Sequence, residues 1–76
     1  MPKIPSVSPQ KFLKHLKKFG CNIVSINGSH YKIINLKNNR ISILPMHSKD
    51  LKKGTFAGIL NQLKIDAQEF IDSLSK

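Results

Sequence analysis

Apolar residues recur with a helical period at both ends of the chain and form strand-like runs between them. Near the start, Phe12, Leu13, Leu16 and Phe19 fall on one side of a helix. Ser8-Pro9 supplies an N-cap followed by proline at the first helical position, and Gly20 supplies the stop. The opposite side carries Lys11, Lys14, His15, Lys17 and Lys18, a stripe that faces either solvent or phosphate. Segments 22–26, 29–36 and 40–44 predict three strands. Asn27-Gly28 is the expected type I′ hairpin turn, because both of its central residues tolerate positive φ, and Lys37-Asn38-Asn39 turns the chain again. On the second strand Tyr31 and Ile33 share one face and His30, Lys32 and Ile34 the other, and Ile41 and Ile43 are expected to join the former set. Gly54-Thr55 opens a helix through about Leu63 with Phe56, Ile59, Leu60 and Leu63 as its buried stripe. Asp66-Ala67-Gln68-Glu69 then reads as a capping-box start for a short last helix that buries Phe70, Ile71 and Leu74.

The expected architecture is α+β: a helix, a three-stranded antiparallel meander packed under helices on one face, a second helix, and an extra short C-terminal helix. At 76 residues the chain has room for one domain over 1–76. No apolar run approaches the roughly 20 residues of a membrane span, the N-terminus has no signal-like stretch, and one cysteine cannot form an internal disulfide. These features point to a cytoplasmic protein with no membrane partner. Cys21, beside Gly20, reads as a small buried residue.

Charge changes the picture. The net charge is +9, and residues 1–49 hold nine Lys/Arg and no acid while residues 50–76 hold four of each, so the whole excess lies in the first part. A field of that kind attracts a polyanion, with nucleic acid as the leading class.

The candidate chemistry gathers at the first turn, which delivers His30 to the mouth of the second strand. A group with an unperturbed pKa near 6.5 exchanges protons at neutral pH. In a meander the third strand ends where the second begins, so Leu44-Pro45-Met46-His47 should leave the sheet near His30. Lys49, Lys52 and Lys53 come next, ahead of a helix N-terminus suited to an anion. His30, His47 and Cys21 or Asp50 lack the spacing of a zinc site, so no metal and no small-molecule cofactor is expected.

The order of helix, Gly28-Ser29-His30, meander, Pro45-x-His47 and Gly54-Thr55-x-x-x-Ile59-Leu60, opened by Pro2-Lys3-Ile4-Pro5, resembles the HicA family from about Lys3 to Phe70. HicA proteins are small toxins of bacterial and archaeal toxin–antitoxin pairs. The resemblance implies a fold like a double-stranded-RNA-binding domain, α-β-β-β-α, an mRNA-cleaving activity whose essential residue matches His30, and a HicB-type antitoxin as partner. After Gly54-Thr55 the family often has a base where this chain has Phe56-Ala57-Gly58, which leaves Lys52 and Lys53 as phosphate donors.

With the resemblance counted, the expected function is metal-independent endoribonuclease cleavage of mRNA. His30 removes the proton of a ribose 2′-hydroxyl, and lysines stabilise the charge that develops. His47 and Ser29 are candidates for a catalytic or phosphate-contacting role. Lys32, Lys49, Lys52 and Lys53, together with Lys14, Lys17 and Lys18, are the candidate RNA contacts. The alternative is a non-catalytic RNA-binding module that reads shape and 2′-hydroxyls, for which His30 would be dispensable.

Overall fold

The computed structural model describes residues 4–46 and 49–75. Their order is α1 (Pro9–Lys18), β1 (Cys21–Asn27), β2 (His30–Asn35), β3 (Arg40–Pro45), α2 (Lys53–Gln62) and α3 (Ala67–Leu74). The strands form one antiparallel sheet in the order β1-β2-β3, so the expected α+β meander with an added C-terminal helix is the observed fold.

Local signals account for the element ends. The Ser8 side chain accepts from the Lys11 N–H and Pro9 occupies the first turn, while Gly20 ends the helix with φ +84°. Asp66 caps α3 by accepting from the Glu69 N–H at 3.0 Å. Helix α2 has Lys52 at its N-cap, where no side-chain cap bond forms. Its C-terminal end is a Schellman turn, in which Ile65 N–H reaches the Leu60 carbonyl at 2.9 Å and Lys64 N–H the Asn61 carbonyl at 3.2 Å. Lys64 takes φ +58° there, a conformation in which glycine is usual.

The helices cover one face of the sheet. Phe12 of α1, Phe56 of α2 and Phe70 of α3 are fully buried, with ring centroids 4.9–5.7 Å apart in edge-on and tilted contacts. Ile33 and Leu44 meet them from the sheet, and Leu16, Leu60 and Leu63 complete the centre of the core. The buried polar groups of the sheet are bonded: Asn35 Nδ2 donates to the Leu63 carbonyl at 2.8 Å, and Ser42 Oγ donates to Gln62 Oε1.

Three expectations are corrected. The first hairpin turns on Gly28-Ser29, with Asn27 paired to His30. Positive φ falls on Gly28 (+62°) and not on Ser29, the pattern of a type II′ turn rather than a type I′ turn on Asn27-Gly28. Ile41 and Ile43 pair with Ile34 and Lys32, so they lie on the open face, about half exposed, while Ser42 and Leu44 turn to the core. His15 is 5% exposed and belongs to the buried side of α1, not to its lysine stripe. Its ring stands edge-on to Phe70 with centroids 6.3 Å apart, and its Nδ1 lies 3.4 Å from Ser73 Oγ.

A bulge at Val24 completes the sheet. The β1–β2 register shifts between Ile23 and Ser25, which places Ile23 opposite Ile33 and turns Cys21, opposite Asn35, into the core.

Candidate active site

His30 is the first residue of β2 and is exposed on the open face, between Asn27 of β1 and Pro45 of β3. Pro45 has no N–H to give, and the ladder is continued by Met46, whose N–H donates to the Ser29 carbonyl at 2.7 Å. The end of β1, the Gly28-Ser29 turn and the end of β3 therefore converge on one histidine. Its backbone is fixed on both sides, and its side chain stands on the uncovered face of the sheet.

Lys32 follows on the same face two residues along, about 7 Å away by the strand repeat, between Ser25 and Ile43. Ser29 is half-buried in the turn itself. Lys49, Lys52 and Lys53 are exposed on the segment that leaves the His30 end of the sheet and enters α2. That segment is anchored by Leu51 N–H donating to the Val7 carbonyl at 2.9 Å and by Ser6 Oγ donating to Asp50. His47, the second expected histidine, lies outside the described residues.

Lys14, Lys17 and Lys18 are exposed on α1, in the layer that covers the opposite face of the sheet. Lys17 and Lys18 also sit next to Gly20 and Cys21, at the end of the sheet away from His30. The fold brings together His30, Ser29 and Lys32, and separates them from the α1 lysines.

Cys21 pairs with Asn35 at the far end of the strands from His30, so these two cannot share one metal ion. Burial pushes its thiol pKa up, against a smaller lowering by Lys37. Among the described residues no three His, Cys, Asp or Glu side chains gather as metal ligands. For His15, burial first and then Lys18, Lys11 and Lys14 hold the pKa below the ordinary histidine value.

At the far end of β3 from His30, Asn39, Arg40 and Ile41 face Asn61, Gln62 and Lys64 across an open cleft of about 450 Å³. Its walls are tied together: the Asn35 and Asn38 amides both donate to the Leu63 carbonyl, at 2.8 and 3.1 Å, and Ser42 holds Gln62. Among the described residues, Asn39 (φ +60°) and Lys64 are the two non-glycine positions with positive φ, and both line this cleft. A signal existed in the polar cluster around each of them, but nothing in the one-dimensional pattern places the second turn beside the end of α2.

Compared with known families, residues 9–65 match the family model described as HicA toxin of bacterial toxin–antitoxin. No curated protein matches the chain. The matched span runs from the first helical residue of α1 to the residue that closes the α2 Schellman turn, and so contains the whole sheet and His30.

Proposed function

The chain belongs to the HicA toxin family of bacterial toxin–antitoxin pairs, and from that premise we propose that it is a metal-independent endoribonuclease that cleaves mRNA with His30 as the general base. The observation that carries the reading is the placement of His30: exposed, first in its strand, and flanked by two chain segments that fix its backbone.

The neutral imidazole takes the proton from a ribose 2′-hydroxyl. The 2′-oxygen attacks the adjacent phosphorus, the bond from phosphorus to the 5′-oxygen breaks, and that oxygen leaves with a proton. The products are a 2′,3′-cyclic phosphate and a 5′-hydroxyl. General base catalysis of this kind contributes typically about 10²–10⁴-fold. Lys32, on the same face, supplies positive charge to the phosphoryl oxygens as negative charge builds there, with Lys49, Lys52 and Lys53 as further phosphate contacts. Ser29 and His47 are the groups proposed to protonate the leaving oxygen or hold the phosphate.

The family implies a cognate antitoxin, and a HicB-type protein is the proposed one. A +9 chain is complemented by an acidic partner, since opposite fields speed association and disfavour wrong partners. Covering His30 and Lys32 would silence the site. No helix of the described residues is long and apolar enough to cross a membrane, and the proposed mRNA substrate places the activity in the cytoplasm.

His30→Ala tests the assignment. The variant should fold and bind RNA comparably to the parent, and lose cleavage by at least about 10²-fold. Full cleavage by a folded His30→Ala protein would remove the general base, and loss of binding together with cleavage would assign His30 to RNA contact instead.

A further inference from the structure

We propose that the cleft between the start of β3 and the end of α2 is a second RNA subsite, which seats a phosphate and the adjoining base of the strand whose cleaved linkage lies at His30. This inference rests on the reading of His30 as an RNA-cleaving residue.

The lining chemistry suits a nucleotide. Arg40 and Lys64 line the cleft and no acid does, and Asn39, Asn61 and Gln62 bring amides. A guanidinium pairs with phosphate oxygens in a fixed fork, and amides match base edges. A carboxylate peptide would satisfy the two cations and leave the amides without a matched contact.

The cleft is also pre-organised. The Leu63 carbonyl accepts from the side-chain amides of Asn35 at the end of β2 and Asn38 in the turn that follows, and Gln62 is held by Ser42 of β3, so the end of α2 is tied to the sheet before a ligand arrives. Lys64 occupies a left-handed backbone position that glycine would fill with less strain, and it lines the cleft from there. Strained positions of this kind cluster at ligand clamps.

The geometry connects the two sites. His30 pairs with Pro45 and Asn35 with Arg40, so the cleft lies five residues along the β2–β3 ladder from His30, about 16 Å at the strand repeat. The open face presents Lys32, Ile43, Ile34 and Ile41, while the α2 wall of the cleft lies in the layer on the other face, so a bound strand rounds the outer edge of the sheet at β3 to join the two sites. A single strand stacked at about 3.4 Å per nucleotide covers the ladder distance in about five nucleotides, and rounding the β3 edge takes more.

The experiment measures binding of single-stranded 2′-O-methyl oligonucleotides, which lack the hydroxyl the reaction needs, in lengths of about four and about ten nucleotides and across a salt series. The full chain should bind the longer oligonucleotide more tightly. Arg40→Gln with Lys64→Gln should remove most of that gain and lower the logarithmic salt slope by about 0.7 for each phosphate released. An unchanged length dependence and slope would overturn the subsite. Unchanged RNA binding with loss of antitoxin binding would overturn it in favour of a protein contact. A parent that neither binds nor cleaves RNA would overturn the ribonuclease reading along with it, whereas a parent that cleaves through His30 beside an indifferent double variant would overturn the cleft alone.

Discussion

The Met46 N–H donates to the Ser29 carbonyl at 2.7 Å, which ties the end of β3 to the residue immediately before His30. The histidine therefore does not hang from a flexible hairpin tip. Its backbone belongs to a three-segment ladder, and a change in the Gly28-Ser29 turn is transmitted to the site.

Gly28 is the place to test this. Its φ of +62° is left-handed, and a Cβ built there meets nothing within 4 Å, so the penalty of a side chain is conformational and not steric crowding. Gly28→Ala should destabilise the fold by about 1 kcal/mol, Gly28→Asn by less, and Gly28→Val by more. Urea midpoints give the order. Equal midpoints for all three would show that the turn does not hold the type II′ conformation in solution.

His15 makes stability fall on the acid side. Its folded pKa lies below the ordinary value of 6.5, so between those two pH values the unfolded chain binds the extra proton. Its contribution is complete above about pH 6.5 and is lost as pH falls toward the folded value. Unfolding midpoints measured from neutral pH downward should therefore decline in the parent, and His15→Gln should flatten the first part of that decline. A parent curve flat between pH 7 and the onset of carboxylate titration would contradict the burial of this ring against Phe70 and Ser73.

Lys64→Gly separates stability from the proposed RNA contact. Glycine is the residue best suited to the position that follows the α2 C-cap, so the variant should gain about 1 kcal/mol, or about 4–8 °C in Tm for a chain of this size. It should at the same time bind the longer oligonucleotide more weakly. A stabilised variant with parental RNA affinity would show that the lysine side chain is not what the strained backbone serves.

Much of this architecture was legible in one dimension. Ser8-Pro9, Gly20 and Asp66 name their helix ends because each satisfies or terminates a backbone pattern locally. The misplacement of Ile41 and Ile43 has a single cause. A turn limited to Lys37-Asn38-Asn39 pairs residue 36 with 40, whereas the observed loop pairs Asn35 with Arg40, and one residue of register turns every side chain of β3 to the other face. Asn35 decides the matter, since its side chain accepts from Lys37 N–H at 3.0 Å and donates to the α2 end, a long-range contact with no trace in local composition. His15 follows spacing rather than residue type: Phe12, His15, Leu16 and Phe19 complete the i, i+3, i+4, i+7 repeat that faces the core. The placement of Ser29, His30 and Lys32 on one site follows from the turn and the strand alternation, while the Arg40–Lys64 cleft depends on two segments that meet only in three dimensions.

The Val24 bulge bears on how the chain meets other sheets. β1 is an outer strand, and a regular outer strand offers its unpaired N–H and carbonyl groups as a template on which another chain can add. At Val24 that row is broken and the strand twists, with the side chain itself half exposed. The same extra residue that turns Ile23 and Cys21 into the core thus blunts β1 against fibre-like growth and leaves β3 as the edge better suited to strand addition.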